Sequence, residues 1–498
     1  MKKIAVFLSL SIVALVLGVS GCGTDDPEPI DVPVPTTALH TVTFDVAGGL
    51  PAPAPQLTRN GGRIIEPGNT PVKQDFLFAG WYSEAGERID FNTLTVVSDM
   101  TLHAKWWTGP EQFIFISDTY QEYFYEKINA TFGEQIGKKV AVGQLFILYC
   151  FQHPRTTLLN GLRKHLSLSQ QHNLPVLVQL DAITFLDARP DLWNWWDSNK
   201  AGYNPANKEN VEWTSWSSDD AVKIGWLNWD RQMRITPMPN LFSPAYRNAV
   251  TEQMSEFIEI VLDWYEALPA NQKWLFAGIQ VTGEVSFGVN NWYYPNGNSY
   301  LSQDAANDPT TGINIYLPGR GVQPIGYAAL KTSGIKTSGE ITEDDMAEIA
   351  RRHTEIVSKL CADFNVPRDK IYAYAYGTEK DMAACINDYA CPGWSFYDYT
   401  PLKEGGVSHN ATHPKGFATA LDILSKSDAP YFGISEWAIL GNSTDVTRWS
   451  LPIIEGLSIP RCRFLSIFTN VVGSGVYNTA PNPTAIAGIK AALAVENQ

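Results

Sequence analysis

The chain has 498 residues, of which 44% are hydrophobic, 12% aromatic and 18% charged. That is enough apolar material for a large core in roughly one to four domains, and too little charge for a disordered or coiled-coil protein. A formal net charge of -15 argues against a nucleic-acid partner, and 16 tryptophans with 21 tyrosines point either to core filling or to flat platforms for a weakly polar ligand such as a sugar.

The N-terminus reads Met1-Lys2-Lys3, then an apolar run over residues 4–19, then Ser20-Gly21-Cys22. A short basic stretch before such a run predicts a secretory signal, and the run is shorter than the ~20 residues of a spanning helix. Val19-Ser20-Gly21-Cys22 resembles a bacterial lipobox. The resemblance implies a signal peptide over residues 1–22, lipidation of Cys22 and an exported lipoprotein anchored to the outer membrane or cell surface, tethered rather than spanning. The acidic residues Asp25, Asp26 and Glu28 resemble the export signals of surface-displayed lipoproteins. Residues 23–39, rich in Pro, Asp and Thr, read as a linker. The remaining cysteines are Cys150, Cys361, Cys385, Cys391 and Cys462. An odd count in an oxidising compartment leaves at least one free thiol, and Cys385 and Cys391 are near enough in sequence to bridge. No CxxC and no Cys/His cluster predicts a metal site.

Residues 40–107 alternate as short strands, with turns at Gly48-Gly49 and Gly61-Gly62. The segments "TVTFDVAGG", "FLFAGWYSEAG" and "DMTLHAKW" closely resemble the internalin B-type repeat of bacterial surface proteins. That resemblance implies a small β-rich spacer or adhesive module, with Trp81 and Tyr82 in its core.

From residue 108 to 498, strand and helix patterns alternate. Apolar, β-branched runs fall at residues 113–117, 140–149, 174–181, 274–284, 371–377, 393–399, 431–437 and 464–470. Near-continuous apolar strands suit a parallel sheet covered on both faces. Ser243-Pro244 opens one helix, with a stripe from Tyr246 to Tyr265 at helical spacing. Thr342 with Asp345 forms a capping-box pattern before a second, and residues around Asp422 and Ile423 form a third. The arithmetic predicts an α/β fold, a (β/α)8 TIM barrel preceded by the β-rich module. Long connections at residues 183–243 and 285–341 follow strand C-termini, where such barrels build their sites.

Two glutamates end such strands: Glu284 closes "WLFAGIQVTGE", the fourth, and Glu436 closes "YFGISE", the seventh. A carboxylate directly after a buried strand costs desolvation unless it faces a cavity, so both are expected in the barrel mouth. Paired carboxylates at strands four and seven resemble the pattern of retaining clan A glycoside hydrolases, and "GISEW" resembles a strand-seven nucleophile segment. The resemblance implies Glu436 as nucleophile and Glu284 as acid/base in a double displacement. One position departs from it. Most clan members carry Asn before the acid/base glutamate, where it holds the sugar 2-hydroxyl, and this chain has Gly283. Gln280 or Asn290 are candidates to take that role. "LVQLDAITFLDARPDLWNWWD" and "NWDRQMRITPMPNL" resemble barrel enzymes of the family 42 β-galactosidase and family 164 β-mannosidase kind, which implies a β-mannoside or β-galactoside substrate.

Other polar groups at strand ends are Asp118, Tyr120, Gln152, His153, Gln179, Asp181, Tyr376, Tyr397 and Asp398. Of these, Asp181 is expected to bind a sugar hydroxyl or cap a loop, and Tyr376 to orient the nucleophile or to fill the core with its hydroxyl satisfied. Trp292 and Trp437, nearest the two glutamates, are the expected sugar platforms. Asn228, Arg231 and Arg234 are further candidate substrate contacts, whereas most tryptophans of the first insertion (Trp193, Trp195, Trp196, Trp213, Trp216, Trp226 and Trp229) read as its own small core. No GxxxxGK[ST], no GxGxxG after a strand and no GxSxG is present, so neither a nucleotide cofactor nor a serine hydrolase is predicted. The rival reading is a non-catalytic carbohydrate-binding or adhesive surface lipoprotein on a degenerate barrel.

Overall fold

The structure, a computed structural model, describes residues 38–118, 124–229, 231–285, 291–292, 324–375, 379–395, 416–437, 444–468, 471–472 and 480–497. Residues 1–37, which hold the expected signal peptide with Cys22 and most of the expected linker, lie outside them. The N-terminal module is a four-stranded sheet of β1 (Leu39–Asp45), β2 (Gln56–Arg59), β3 (Leu77–Tyr82) and β4 (Met100–Trp107), in the order β2-β1-β4-β3. Alternation along β1, β3 and β4 buries Val42, Phe44, Trp81, Leu102 and Ala104 on one face. Trp81, expected in this core, sits edge-on to Phe44 at 5.0 Å. Tyr82, expected beside it, is half-buried, and Lys105 lies over its ring.

The rest of the described chain winds into a closed barrel of eight parallel strands. These are β5 (Gln112–Asp118), β6 (Val140–Tyr149), β7 (Val176–Asp181), β10 (Phe276–Val281), β12 (Ile371–Ala375), β13 (Cys391–Ser395), β14 (Phe432–Trp437) and β15 (Cys462–Ile467). Each overlaps one of the eight runs read from the sequence, with β13 and β15 beginning two residues before theirs. The intervening numbers belong to a small antiparallel sheet of β8 (Gly225–Trp229), β9 (Arg231–Ile235) and β11 (Asn291–Trp292). Helix Pro244–Ala267 starts on the Ser243 hydroxyl, which accepts from Tyr246 N, and helix Glu343–Asp363 starts on the predicted Thr342/Asp345 capping box.

The lumen changes character along its length. At its N-terminal end it is plugged by Phe113, Phe115, Leu145, Ile147, Leu177, Tyr372 and Phe464. The next residues of the same parity are polar: Ser117, Gln179, Asp181, Tyr374 and Ser395. The floor is therefore dry and aromatic, and the mouth is lined with hydrogen-bonding groups. All five described cysteines are buried and unbridged, Cys385 and Cys391 included. Among the described residues no helix is long and apolar enough to cross a membrane, and no group of His, Cys, Asp and Glu could hold a metal ion.

Candidate active site

Glu284 follows β10 and Glu436 lies in β14, both half-buried. They meet at one hydroxyl. Tyr374, on β12 and 2% exposed, donates its phenol proton to Glu436 Oε2 and stands 3.5 Å from Glu284 Oε1. Ser395 Oγ touches the same oxygen at 2.5 Å. Burial and then the two nearby carboxylates hold the Tyr374 phenol well above its ordinary value, so it stays protonated and remains a donor. Because both carboxylates reach that oxygen, their nearest oxygens lie within about 6 Å of each other, on facing sides of one phenol.

A local irregularity in β14 aims Glu436 inward. Gly433 faces the lumen, since a Cβ there would meet the Phe464 ring at 2.2 Å. Ile434 packs in the outer core with the helices. Strict alternation would then turn Ser435 inward, Glu436 outward and Trp437 inward. The pairing of β14 with both neighbours shifts register between Ile434 and Trp437, and the parity reverses. Glu436 thereby faces the mouth. Trp437, expected as a sugar platform, goes instead to the helix layer, where it is 2% exposed and packs edge-on to Trp449 at 5.4 Å.

Asp181, expected either at a sugar hydroxyl or as a loop cap, is 2% exposed and does the second. Its Oδ1 accepts from Ile183 N and Thr184 N at 2.8 and 3.0 Å, and its Oδ2 from Thr184 Oγ1 at 2.6 Å. Burial pushes this carboxyl above its ordinary value against those donors. Gln280 lies on β10, four residues before Glu284, and is fully buried; its Nε2 donates to Gln179 Oε1 at 2.8 Å. It lies in register with Gln179, and its Oε1 has no hydrogen-bond partner among the described residues. Gly283, where the clan pattern has Asn, backs onto Asp181: a Cβ at 283 would stand 2.2 Å from Asp181 Oδ2. The Asp181 carboxylate thus fills the space that an Asn side chain at 283 would enter.

Trp292 pairs through its backbone with Trp226 of β8, and its side chain lies outside the described residues. Tyr376, Tyr120, Tyr397, Asp398 and Asn290 lie outside them as well, as do the side chains of Asp118, Asn228, Arg231 and Arg234. In the first insertion, Trp193, Trp195, Trp196 and Trp213 each donate the indole N–H to a backbone carbonyl of the same segment, but Trp193, Trp195 and Trp213 pack into the large core that the barrel shares with its helices rather than into a small core of their own. Trp216 reaches outside the segment, to Gly339 O. The residue that sequence reasoning missed is Tyr374. In "IYAYAYG" three tyrosines share one face by parity, and parity does not reveal which lies at the depth of the carboxylates.

Residues 40–105 match the family model described as the Listeria-Bacteroides repeat domain. No curated protein matches the chain. Among solved structures it is similar to the catalytic domain of a β-amylase from Paenibacillus polymyxa, with 9% identity and a TM-score of 0.43 over 78% of this chain and 100% of that one. It is also similar to a β-glucosidase, with 10% identity and a TM-score of 0.38 over 75% and 87% of the two chains. A third is the GH26 domain of an endo-β-mannanase/endo-β-glucanase from Prevotella bryantii, with 9% identity and a TM-score of 0.36 over 79% and 93%.

Proposed function

We propose that the chain is a retaining glycoside hydrolase that cleaves a β-linked glycan or oligosaccharide through Glu436 and Glu284. The observation that carries the reading is the single neutral phenol of Tyr374 in reach of both carboxylates across the barrel mouth. Glu436, ionised and holding the phenol proton, attacks the anomeric carbon as the bond to the leaving oxygen breaks. The proton of the Glu284 carboxylic acid passes to that oxygen, and a glycosyl ester on Glu436 remains. Glu284, now a carboxylate, takes a proton from water as the water oxygen attacks the same carbon, and Glu436 leaves as carboxylate. Glu284 ends protonated and Glu436 ionised, as they began: the first proton of Glu284 has left with the alcohol and a proton from water has replaced it.

The substrate class within this reading is a β-mannoside or β-galactoside, on the likeness of the sequence to families 42 and 164. The same reading takes the 40–107 segment as an internalin B-type spacer and the chain as an outer-membrane or cell-surface lipoprotein lipidated at Cys22. A Cys22→Ala protein that still partitions with membranes in cells removes the lipid anchor from it.

The test of the activity is a panel of nitrophenyl glycosides with the anomer of the first product followed by NMR. Turnover with retention that vanishes in Glu436→Gln is expected. Binding of glycans without turnover of any substrate would sink the enzyme reading in favour of a carbohydrate-binding protein.

A further inference from the structure

Thr282 has a φ of 70°. A β-branched residue avoids this left-handed region, because its Cβ crowds the neighbouring carbonyl, and such a conformation persists only where the surroundings over-determine it. Here three hydrogen bonds do so. Thr282 N donates to Leu180 O at 3.1 Å, Thr282 O accepts from Gln179 Nε2 at 3.3 Å, and Thr282 Oγ1 donates to Tyr374 O at 2.6 Å. The residue is 2% exposed, so these bonds are shielded from water. The end of β10 is thereby sewn to β7 on one side and β12 on the other.

The next two residues are equally constrained. Gly283 passes against the Asp181 carboxylate, itself fixed by Ile183 and Thr184. Glu284 comes after it and stands 3.5 Å from the Tyr374 phenol. Thr282 holds the main chain of the residue whose side chain binds Glu436. One hydroxyl therefore links the segment that carries one carboxylate to the residue that orients the other.

We propose that Thr282 is a positioning residue: its left-handed backbone and its hydroxyl clasp on the Tyr374 carbonyl set where the Glu284 carboxyl sits relative to the Tyr374–Glu436 pair. The inference rests on the two-glutamate reading and adds to it the device that aligns the acid with the leaving oxygen. Misalignment of an acid hurts leaving groups that need a proton and spares those that do not.

The experiment uses the full chain and a series of aryl β-glycosides of one sugar, from dinitrophenyl, which departs unprotonated, to methoxyphenyl, which needs the proton. Thr282→Val keeps the shape and removes the hydroxyl, Thr282→Ser keeps the hydroxyl, and Thr282→Gly accepts the φ and lacks the hydroxyl. The Val and Gly variants are expected to lose about tenfold or more in kcat/KM on methoxyphenyl substrates and less than about threefold in kcat/KM on dinitrophenyl, since kcat/KM reports the first step, where acid catalysis contributes about 10²–10⁴-fold. Ser is expected to retain the parental ratio. Thermal melting identifies any variant that does not fold, and Gly, free of strain at this φ, keeps the test open if Val fails. Equal losses on both substrates, or a Ser variant that behaves as Val does, would overturn the proposal alone, provided Glu436→Gln is inactive and Glu284→Gln keeps dinitrophenyl activity that azide accelerates. A parent inactive on every glycoside, or a Glu436→Gln variant with parental activity, overturns the two-glutamate reading and this proposal with it.

Discussion

Tyr374 stands between the two glutamates, within reach of both. Its ring is buried, its phenol is held protonated by burial and by the two carboxylates, and its one proton goes to Glu436. A charged acceptor that loses such a donor in a half-buried site loses about 1.5–3 kcal/mol. Tyr374→Phe keeps the ring and removes the bonds to Glu436 and Ser395. On the proposed mechanism, kcat is expected to fall by roughly 10- to 100-fold with KM little changed, since each ~1.4 kcal/mol is a factor of ten. The variant should melt as a folded protein, because the buried ring still fills its place. A Tyr374→Phe enzyme with the parental kcat would remove the phenol from the mechanism.

At the scale of the element, the strands are legible in the sequence because their apolar runs are long and nearly unbroken, the mark of a sheet covered on both faces. The caps are legible because Ser243 and Thr342 carry the side chains that the first turn needs. The place of Trp437 is not, because the register shift in β14 leaves no trace in residue type, and one displaced residue reverses every later side chain of the strand. The buried role of Glu212 is invisible for a different reason: its partners are backbone groups far along the chain. Glu212, fully buried in the insertion after β7, accepts from Gly326 N, Ala328 N and Ala329 N, at the start of helix Tyr327–Ser333. Burial outweighs those donors and pushes its carboxyl from an ordinary 4.5 up to about 8. The folded state then holds this proton more tightly than the unfolded chain does. Stability from this group is full below about pH 4.5 and is lost as pH rises through about 8, since the native state binds more protons across that window. The urea midpoint of the parent is expected to fall from pH 5 to pH 8, and the slope to flatten in Glu212→Gln. Parallel pH curves for the two proteins would rule the group out as the cause.

At the scale of the molecule, the N-terminal module packs beside the barrel at the end opposite the mouth, against the segments that lead into β6 and β10. Trp107, the last residue of β4, packs edge-on to Trp274 at 4.8 Å and donates its indole N–H to Lys138 O at 3.1 Å. Trp274 and Lys138 precede β10 and β6, so the contact lies at the N-terminal ends of the strands. Leu77, Ile136, Trp264, Tyr265, Leu268 and Leu275 complete a small apolar cluster there. β1 runs parallel to β4, so the chain enters the module at the end of the sheet far from the barrel. On the proposed tether at Cys22, the order outward from the membrane is linker, module, barrel floor and mouth, and substrate approaches from the free side. The module then acts through docking and reach, with no part in the chemistry. Trp107→Ala removes the central ring of the contact; for a half-buried tryptophan the cost is about 1–3 kcal/mol, below the ~3–5 kcal/mol of a fully buried one. The thermal midpoint is expected to drop by several degrees, while kcat and KM on an aryl glycoside stay at parental values at 25 °C, well below the transition. A Trp107→Ala protein that is folded yet catalytically impaired would show that the module reaches the site through the barrel, and the spacer role would have to be given up.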